Sequence, residues 1–417
     1  AVDGYIAGAV VFGDANGNGA LDVGEVSAIT DENGGFTLVG AEGDLVLFGG
    51  VDISTGLNFQ GELRAPEGAT VVTPLTTLVV TYAEFLDSTN PDYAQAESAL
   101  KTALGLPDVN LSEVDPVALA VSGDPAGVSL LAAQVQVQNT VLQASAVVQG
   151  ASTQLVDDAI AVQSAFEGLA QTIAADATFS LSDTADLAAV IGNTASQTAT
   201  NTASTQAVID PDVLAAATSV IEQSNTAIDN AVTNSAAGQP VATLTEIAQI
   251  AIVAQNESAT ELEASAQAGV VSTELSDLNT NFDQAVSDAA SQVGDVDGSI
   301  GSPSSEFLVN QSAQGNQYAY DTVGLANGRF VVLYGSDTNG FRQTFRVFEE
   351  DGTPLGDEFG LSGAFGQAVS SSLAPTSDGG FVMAYRAFGS SVDRIQLAVF
   401  DANGTQTSGP ISLVSAT

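Results

Sequence analysis

The chain has 417 residues, with 50 acidic against 7 basic side chains, a formal net charge of −43, and no histidine, cysteine or tryptophan. Those absences remove disulfides, thiolate nucleophiles, zinc–thiolate and iron–sulfur sites, histidine-based triads and histidine-held zinc or haem. The charge excludes the nucleic-acid backbone and anionic lipid headgroups as partners. What remains for ion binding is carboxylate, amide and carbonyl oxygen, the donor set that calcium takes.

The length allows about two to four domains, and an apolar content of 45% is that of a folded chain. The acidity comes mainly from a shortage of cations: no lysine or arginine lies between Lys101 and Arg329. Calcium or ambient salt must screen the carboxylates of that span, which points to a saline, extracellular setting. No run of about 18–20 apolar residues reads as a transmembrane helix. The start at Ala1-Val2-Asp3 is expected to reflect a removed leader or an interior fragment.

In chain order, residues 1–71 read as β structure. Val10-Val11-Phe12 is a short β-branched and aromatic run, followed by Val26–Thr30, a turn at Asp31-Glu32-Asn33-Gly34-Gly35, and expected strands at Phe36–Val39, Asp44–Phe48 and Leu57–Leu63. Between the first two runs lies Asp14-Ala15-Asn16-Gly17-Asn18-Gly19-Ala20-Leu21-Asp22-Val23-Gly24-Glu25. A calcium loop of the EF-hand type places oxygen ligands at positions 1, 3, 5, 9 and 12, a backbone carbonyl at 7 and glycine at 6. Those places hold Asp14, Asn16, Asn18, Asp22 and Glu25, the Ala20 carbonyl, and Gly19. The flanks are strands, so the loop is expected as a clip between strands of a β-sandwich; a polar connection without an ion is the alternative.

The pattern Gly4-Tyr5-Ile6-Ala7-Gly8 through Gly19, with Leu21-Asp22, Gly24-Glu25 and Thr30–Phe36, resembles the small β-sandwich repeats of bacterial surface proteins. These are the SdrD B-like and carboxypeptidase-regulatory-like (prealbumin-like) domains, extracellular spacers of which many are stiffened by calcium. The resemblance covers roughly residues 1–70. It implies Asp14, Asn16, Asn18, Asp22 and Glu25 as calcium ligands and implies no catalysis.

From 72 to 293 the chain is rich in Ala, Gln, Ser, Thr and Val and reads as a helical bundle. Thr73-Pro74 is an N-cap followed by proline at the first helical position. Helices are expected over Tyr93–Leu104, from Asp124-Pro125 to about Val148, Ser152–Ala174, Ser182–Ile191, Asp210-Pro211 to about Thr233, Pro240 to about Asn256, and Ser258–Val293 with a break near Gly269. Such small side chains pack closely but bury little area each, so many helices must share a core. The region reads as a spacer bundle or, alternatively, as a surface for assembly or partner binding.

Residues 294–305 read as a linker. Asp295 and Asp297 there are either solvated acids or a second calcium clamp. Over 306–417 an internal repeat of about fifty residues emerges: Glu306–Val309 aligns with Glu358–Leu361, Gly328–Tyr334 with Gly380–Tyr385, and Phe345–Thr353 with Leu397–Thr405. Ile411–Val414 looks like the first strand of a third copy. The repeat has the length of a propeller blade and resembles the repeats of large secreted RTX-type and adhesin-like proteins of Gram-negative bacteria. Two blades do not close a propeller, so either further copies follow Thr417 or the copies pair with each other or with a neighbouring chain. Asp-Gly and Asn-Gly pairs in this region read as hairpin turns.

No Walker loop, dinucleotide fingerprint or carboxylate pair in an aromatic setting stands out. The expected fold is therefore multidomain α+β: an N-terminal β-sandwich, a central Ala-rich bundle and incomplete propeller-like β repeats. The expected function is that of a calcium-stiffened extracellular structural or adhesive cell-surface protein, not an enzyme, with other surface proteins, glycans or itself as partners. A self-assembling surface-layer or filament subunit and a secreted carbohydrate-active enzyme are the alternatives.

Overall fold

A computed structural model of the chain describes residues 4–234, 239–294, 296, 317–325, 329–336, 342–348, 354–356, 359–360, 367–376, 379–388 and 393–415. Two compact units result, Ala1–Ser302 and Pro303–Thr417. The boundary falls inside the span read as a linker. Asp295, Asp297 and the 306–309 segment lie outside the described residues.

The first unit opens with short strands: β1 (Ile6–Ala7), β2 (Val10–Asp14), β3 (Ser27–Ile29), β4 (Asp44–Phe48), β5 (Val51–Asp52) and β6 (Glu62–Ala65). An antiparallel sheet runs in the order β3-β2-β4-β6, and β1 pairs with β5 in a two-stranded ribbon. The β-branched and aromatic residues of β2 suit a pleated surface buried on both sides. Val11, Leu45, Leu47, Leu63 and Ala65 enter the main core. Phe12 and Val46 are also fully buried but stand outside that cluster, Phe12 edge-on to Phe48 with centroids 6.2 Å apart. Phe36–Val39, expected as a strand, is irregular, and Leu57–Leu63 forms a strand only at its end. Backbone pairing needs a neighbouring strand edge, which Phe36–Val39 does not have.

The helices follow: α1 (Pro74–Leu86), α2 (Tyr93–Ala103), α3 (Pro116–Val121), α4 (Pro125–Ala151), α5 (Asp158–Ala175), α6 (Thr184–Asn201), α7 (Pro211–Thr233), α8 (Pro240–Ile252), α9 (Ala259–Ala268) and α10 (Thr273–Asp288). A wide π turn, Val253–Ser258, joins α8 to α9. Six of the aspartates serve helix starts. Asp92, Asp115, Asp124, Asp157, Asp183 and Asp210 each cap an N-terminus by accepting a backbone N–H, where a negative charge is favoured. Thr73 caps α1 in a reciprocal box with Thr76, with Pro74 just inside. The left-handed Gly269 ends α9. The α5 start lies later than Ser152 because the cap is Asp157, and α6 runs on past Ile191 to Asn201. The six-residue α3 carries no sequence expectation.

Helix α4 is the axis of the unit. It touches α1, α3, α5, α6, α7, α8 and α9, and from Val128 to Val148 almost every side chain is buried, polar ones included. The sheet's inner face and α1, α4 and α5 contribute to one continuous core. A sandwich would set a second sheet there; instead helices take its place, through the largely buried stretches 75–83 of α1 and 161–173 of α5. The composition change near residue 72 therefore marks a change of secondary structure inside one core.

In the second unit, β7 (Gln317–Gly324), β8 (Phe330–Ser336), β9 (Arg342–Phe348) and β10 (Phe359–Gly360) form one antiparallel sheet. A second antiparallel sheet contains β11 (Gln367–Pro375), β12 (Phe381–Phe388), β13 (Asp393–Phe400) and β14 (Gln406–Ser415). The sheets share an aromatic core in which Phe345 lies 4.9 Å from Phe400 and 5.3 Å from Phe381, ring centre to ring centre. Ile411–Val414, read as the opening of a third copy, belongs to β14 and pairs with β13. The sequence repeat is thus staggered against the sheets: each sheet takes its outer strand from the start of the next copy. The Asp31 and Asp401 turns are alike. In each, the aspartate Oδ1 accepts the N–H of the residues two and four positions on, at 2.8–2.9 Å.

A candidate cation loop on the N-terminal sheet

The loop leaves β2 at Asp14 and returns into β3 at Ser27. Its neck is closed by the Phe12–Ser27 pair and by the Gly13 N–H to the Val26 carbonyl, at 3.1 Å. Asp14, the first of the predicted positions, is almost wholly buried, at 4% exposure. Asp14 Oδ1 accepts the backbone N–H of Gly17 (2.8 Å) and Asn18 (3.1 Å), and Oδ2 accepts that of Gly19 (2.7 Å). Those three bonds curl the chain around the carboxylate. Gly19 has φ +73°, the left-handed conformation that the sixth position requires.

The other predicted residues converge on the same loop. The Asn16 and Asn18 amides both donate to Asp22 Oδ2 at 2.8 Å, which holds the Asp22 carboxyl below its usual range. Glu25 spans the loop: Oε1 accepts the Ala15 N–H at 3.0 Å and Oε2 the Asp22 N–H at 2.8 Å. Ala20 is tied in by its N–H to Asn18 Oδ1, at 2.8 Å. Asp14, Asn16, Asn18, Asp22 and Glu25 are thus members of one hydrogen-bonded ring. The set suits a hard cation chemically, since every candidate side chain carries oxygen. The amide ends of Asn16 and Asn18 face Asp22, so an ion would require their oxygens to turn inward. Among the described residues no group of three or more carboxylates is gathered closely enough to form a metal cluster by itself.

One neighbour escaped sequence reading. Glu62, at the start of β6, holds its carboxylate 4.0 Å from the position a side chain on Gly19 would take. Burial pushes its carboxyl up to about 7, the nearby Asp14 charge adds to the rise, and Arg64 partly offsets it. No local pattern marks Glu62, which lies 37 residues beyond Glu25 (62 − 25) and arrives only through β4–β6 pairing. Behind the sheet, Arg64 forms a two-pronged pair with Glu84 of α1 at 2.7 and 2.8 Å and lies 3.8 Å from Asp44. Tyr93 donates to Asp44 at 2.6 Å. This small network joins the sheet to α1 and α2. Gly43, at φ +79°, lies flat against the start of the loop, where a side chain would collide with the Asp14 carbonyl.

Among the described residues no helix is long and apolar enough to cross a membrane. A scan against protein-family models, a search of curated proteins and a search of solved structures each found no match, so the resemblance to surface-protein repeats rests on its residues alone.

Proposed function

We propose that this chain is a calcium-stiffened structural and adhesive protein of an extracellular bacterial surface, and that it is not an enzyme. The observation that carries the reading is the ring of Asp14, Asn16, Asn18, Asp22 and Glu25 on a buried strand end. Calcium there would be held by those side chains and the Ala20 carbonyl. It would neutralise carboxylates and lock β2 to β3. The acidic excess and scarcity of cations fit a salt-rich exterior. The staggered sheets of the second unit fit propeller-like repeats of a longer array, each copy lending a strand to the one before.

Calorimetric calcium titration of the wild type and of an Asp14→Ala/Glu25→Ala variant tests this reading, with light scattering alongside. Saturable binding that the variant loses by about a hundredfold or more is the expected result. Equal behaviour of both proteins refutes the loop as a calcium site. A second reading, self-assembly into a surface layer or filament, draws on β14, a ten-residue strand at the edge of its sheet. Calcium-dependent growth in particle size favours it; a monomer at all calcium levels favours a spacer.

A further inference from the structure

A second polar site lies away from the loop, where β5, helix α4 and the π turn meet. A partly open cavity of about 180 Å³ is lined there by Asp52, Phe59, Gln138, Leu142, Gln255 and Asn256, among others. Its floor is unusual. Gln138 lies on the central helix with 0% exposure, and neither Nε2 nor Oε1 has a hydrogen-bond partner. Exchanging the two ends of the amide changes nothing, because both are unsatisfied. An unpaired buried amide costs free energy that leucine or methionine at the same place would avoid.

Asp52 is the second buried group, at 4% exposure. Its Oδ1 accepts the Ser54 N–H and hydroxyl, each at 2.7 Å, which fixes the carboxylate at the ribbon end, and Gly4 leaves room for it. Burial pushes its carboxyl up. The mouth is built by a local irregularity. The π turn Val253–Ser258 carries Gln255 and Asn256, and Gln255 donates to Asn139 Oδ1 at 2.9 Å. Wide turns of this kind are frequent at functional sites.

We infer that this cavity binds a neutral, hydroxyl-rich small molecule about the size of one sugar ring. The unsatisfied groups choose the class. A cation satisfies acceptors only, whereas Gln138 offers a free donor and a free acceptor. An anion finds no basic side chain in the lining of the cavity. A hydroxyl both donates and accepts, so a polyol serves Gln138 and Asp52 together. Phe59, Leu57 and Leu142 supply apolar surface for the ring's carbon face. The volume equals about six waters at ~30 Å³ each, enough for one pyranose. The inference is independent of the calcium reading.

The test uses the full chain and ligand-observed NMR with calorimetry. The probes are the methyl glycosides of glucose, galactose and mannose, N-acetylglucosamine, sorbitol, and calcium chloride alone. At least one pyranoside is expected to bind saturably with a Kd in the millimolar range or tighter. Gln138→Met weakens that binding about tenfold or more while leaving Tm unchanged or raised. Asn256→Ala, at the exposed rim, weakens it about threefold without touching the core. Asp14→Ala leaves it intact, which separates this site from the loop. No saturable binding up to about 50 mM overturns the inference. So does unchanged binding in Gln138→Met, or a lowered Tm in that variant with no sugar bound, the mark of a structural water. Calcium binding that Gln138→Met abolishes overturns it in favour of a cation site.

Discussion

Replacing Glu62 by glutamine isolates the electrostatic cost of placing a fourth carboxylate beside the three of the candidate cation loop. The Glu62 carboxyl rises from 4.5 to about 7 in the fold, chiefly through burial. A rise of about 2.5 units corresponds to about 3 kcal/mol, and discounting the part of the side chain that faces solvent leaves about 2 kcal/mol. The sign follows from proton counting. Between pH 4.5 and about 7 the folded chain holds the Glu62 proton and the unfolded chain has released it. Stability from this group therefore falls as pH rises through that window and is flat above it. Glutamine has no proton to lose. In chelator, Glu62→Gln is thus expected to match the wild type near pH 4.5 and to exceed it by about 2 kcal/mol near pH 8, about 4 °C in Tm. Urea unfolding followed by helical circular dichroism reads the first unit, which carries the described helices. Working with the difference between the two proteins cancels the opposing slopes of the other carboxylates. A difference independent of pH, or one that favours the wild type at high pH, refutes the placement of Glu62 in a desolvated site beside Asp14.

Arg64→Met is expected to destabilise the first unit by about 2–3 kcal/mol at pH 7.5 in urea unfolding, because Glu84 and Asp44 lose the cation that joins them across β6 and α1. The loss should shrink toward pH 4.5, since Arg64 lowers the Asp44 and Glu62 carboxyls and their protonation removes the repulsion it offsets. Gly43→Ala places a methyl group against the Asp14 carbonyl at a left-handed φ. A cost of about 2–3 kcal/mol is expected, together with weakened calcium binding in calorimetry although no ligand is altered; undiminished affinity would show that the loop does not depend on its seat.

The helices were the most legible part of the chain. Asp-Pro and Thr-Pro starts announce caps that act within three residues, and four of the helices open on such a proline: Pro74, Pro116, Pro125 and Pro211. The loop was legible for the same reason, since its ring closes over twelve consecutive residues from Asp14 to Glu25. Phe36–Val39 misled because its strand-like composition found no partner edge. For Ile411–Val414, the likeness between copies says which strands correspond and not which sheet each one joins.

The sequence by itself determined what is local: capped helices, the turn at Asp31 and its counterpart at Asp401, and an oxygen-only loop. It also determined what is excluded by absence, the chemistry of histidine and cysteine. Only the tertiary structure decided that the N-terminal sheet and the helices share one core, that Glu62 stands beside Asp14, and that Gln138, Asp52 and Asn256 line one cavity. Those meetings join residues tens to more than two hundred positions apart. They are set by which apolar faces pack together, and no spacing along the chain records that choice.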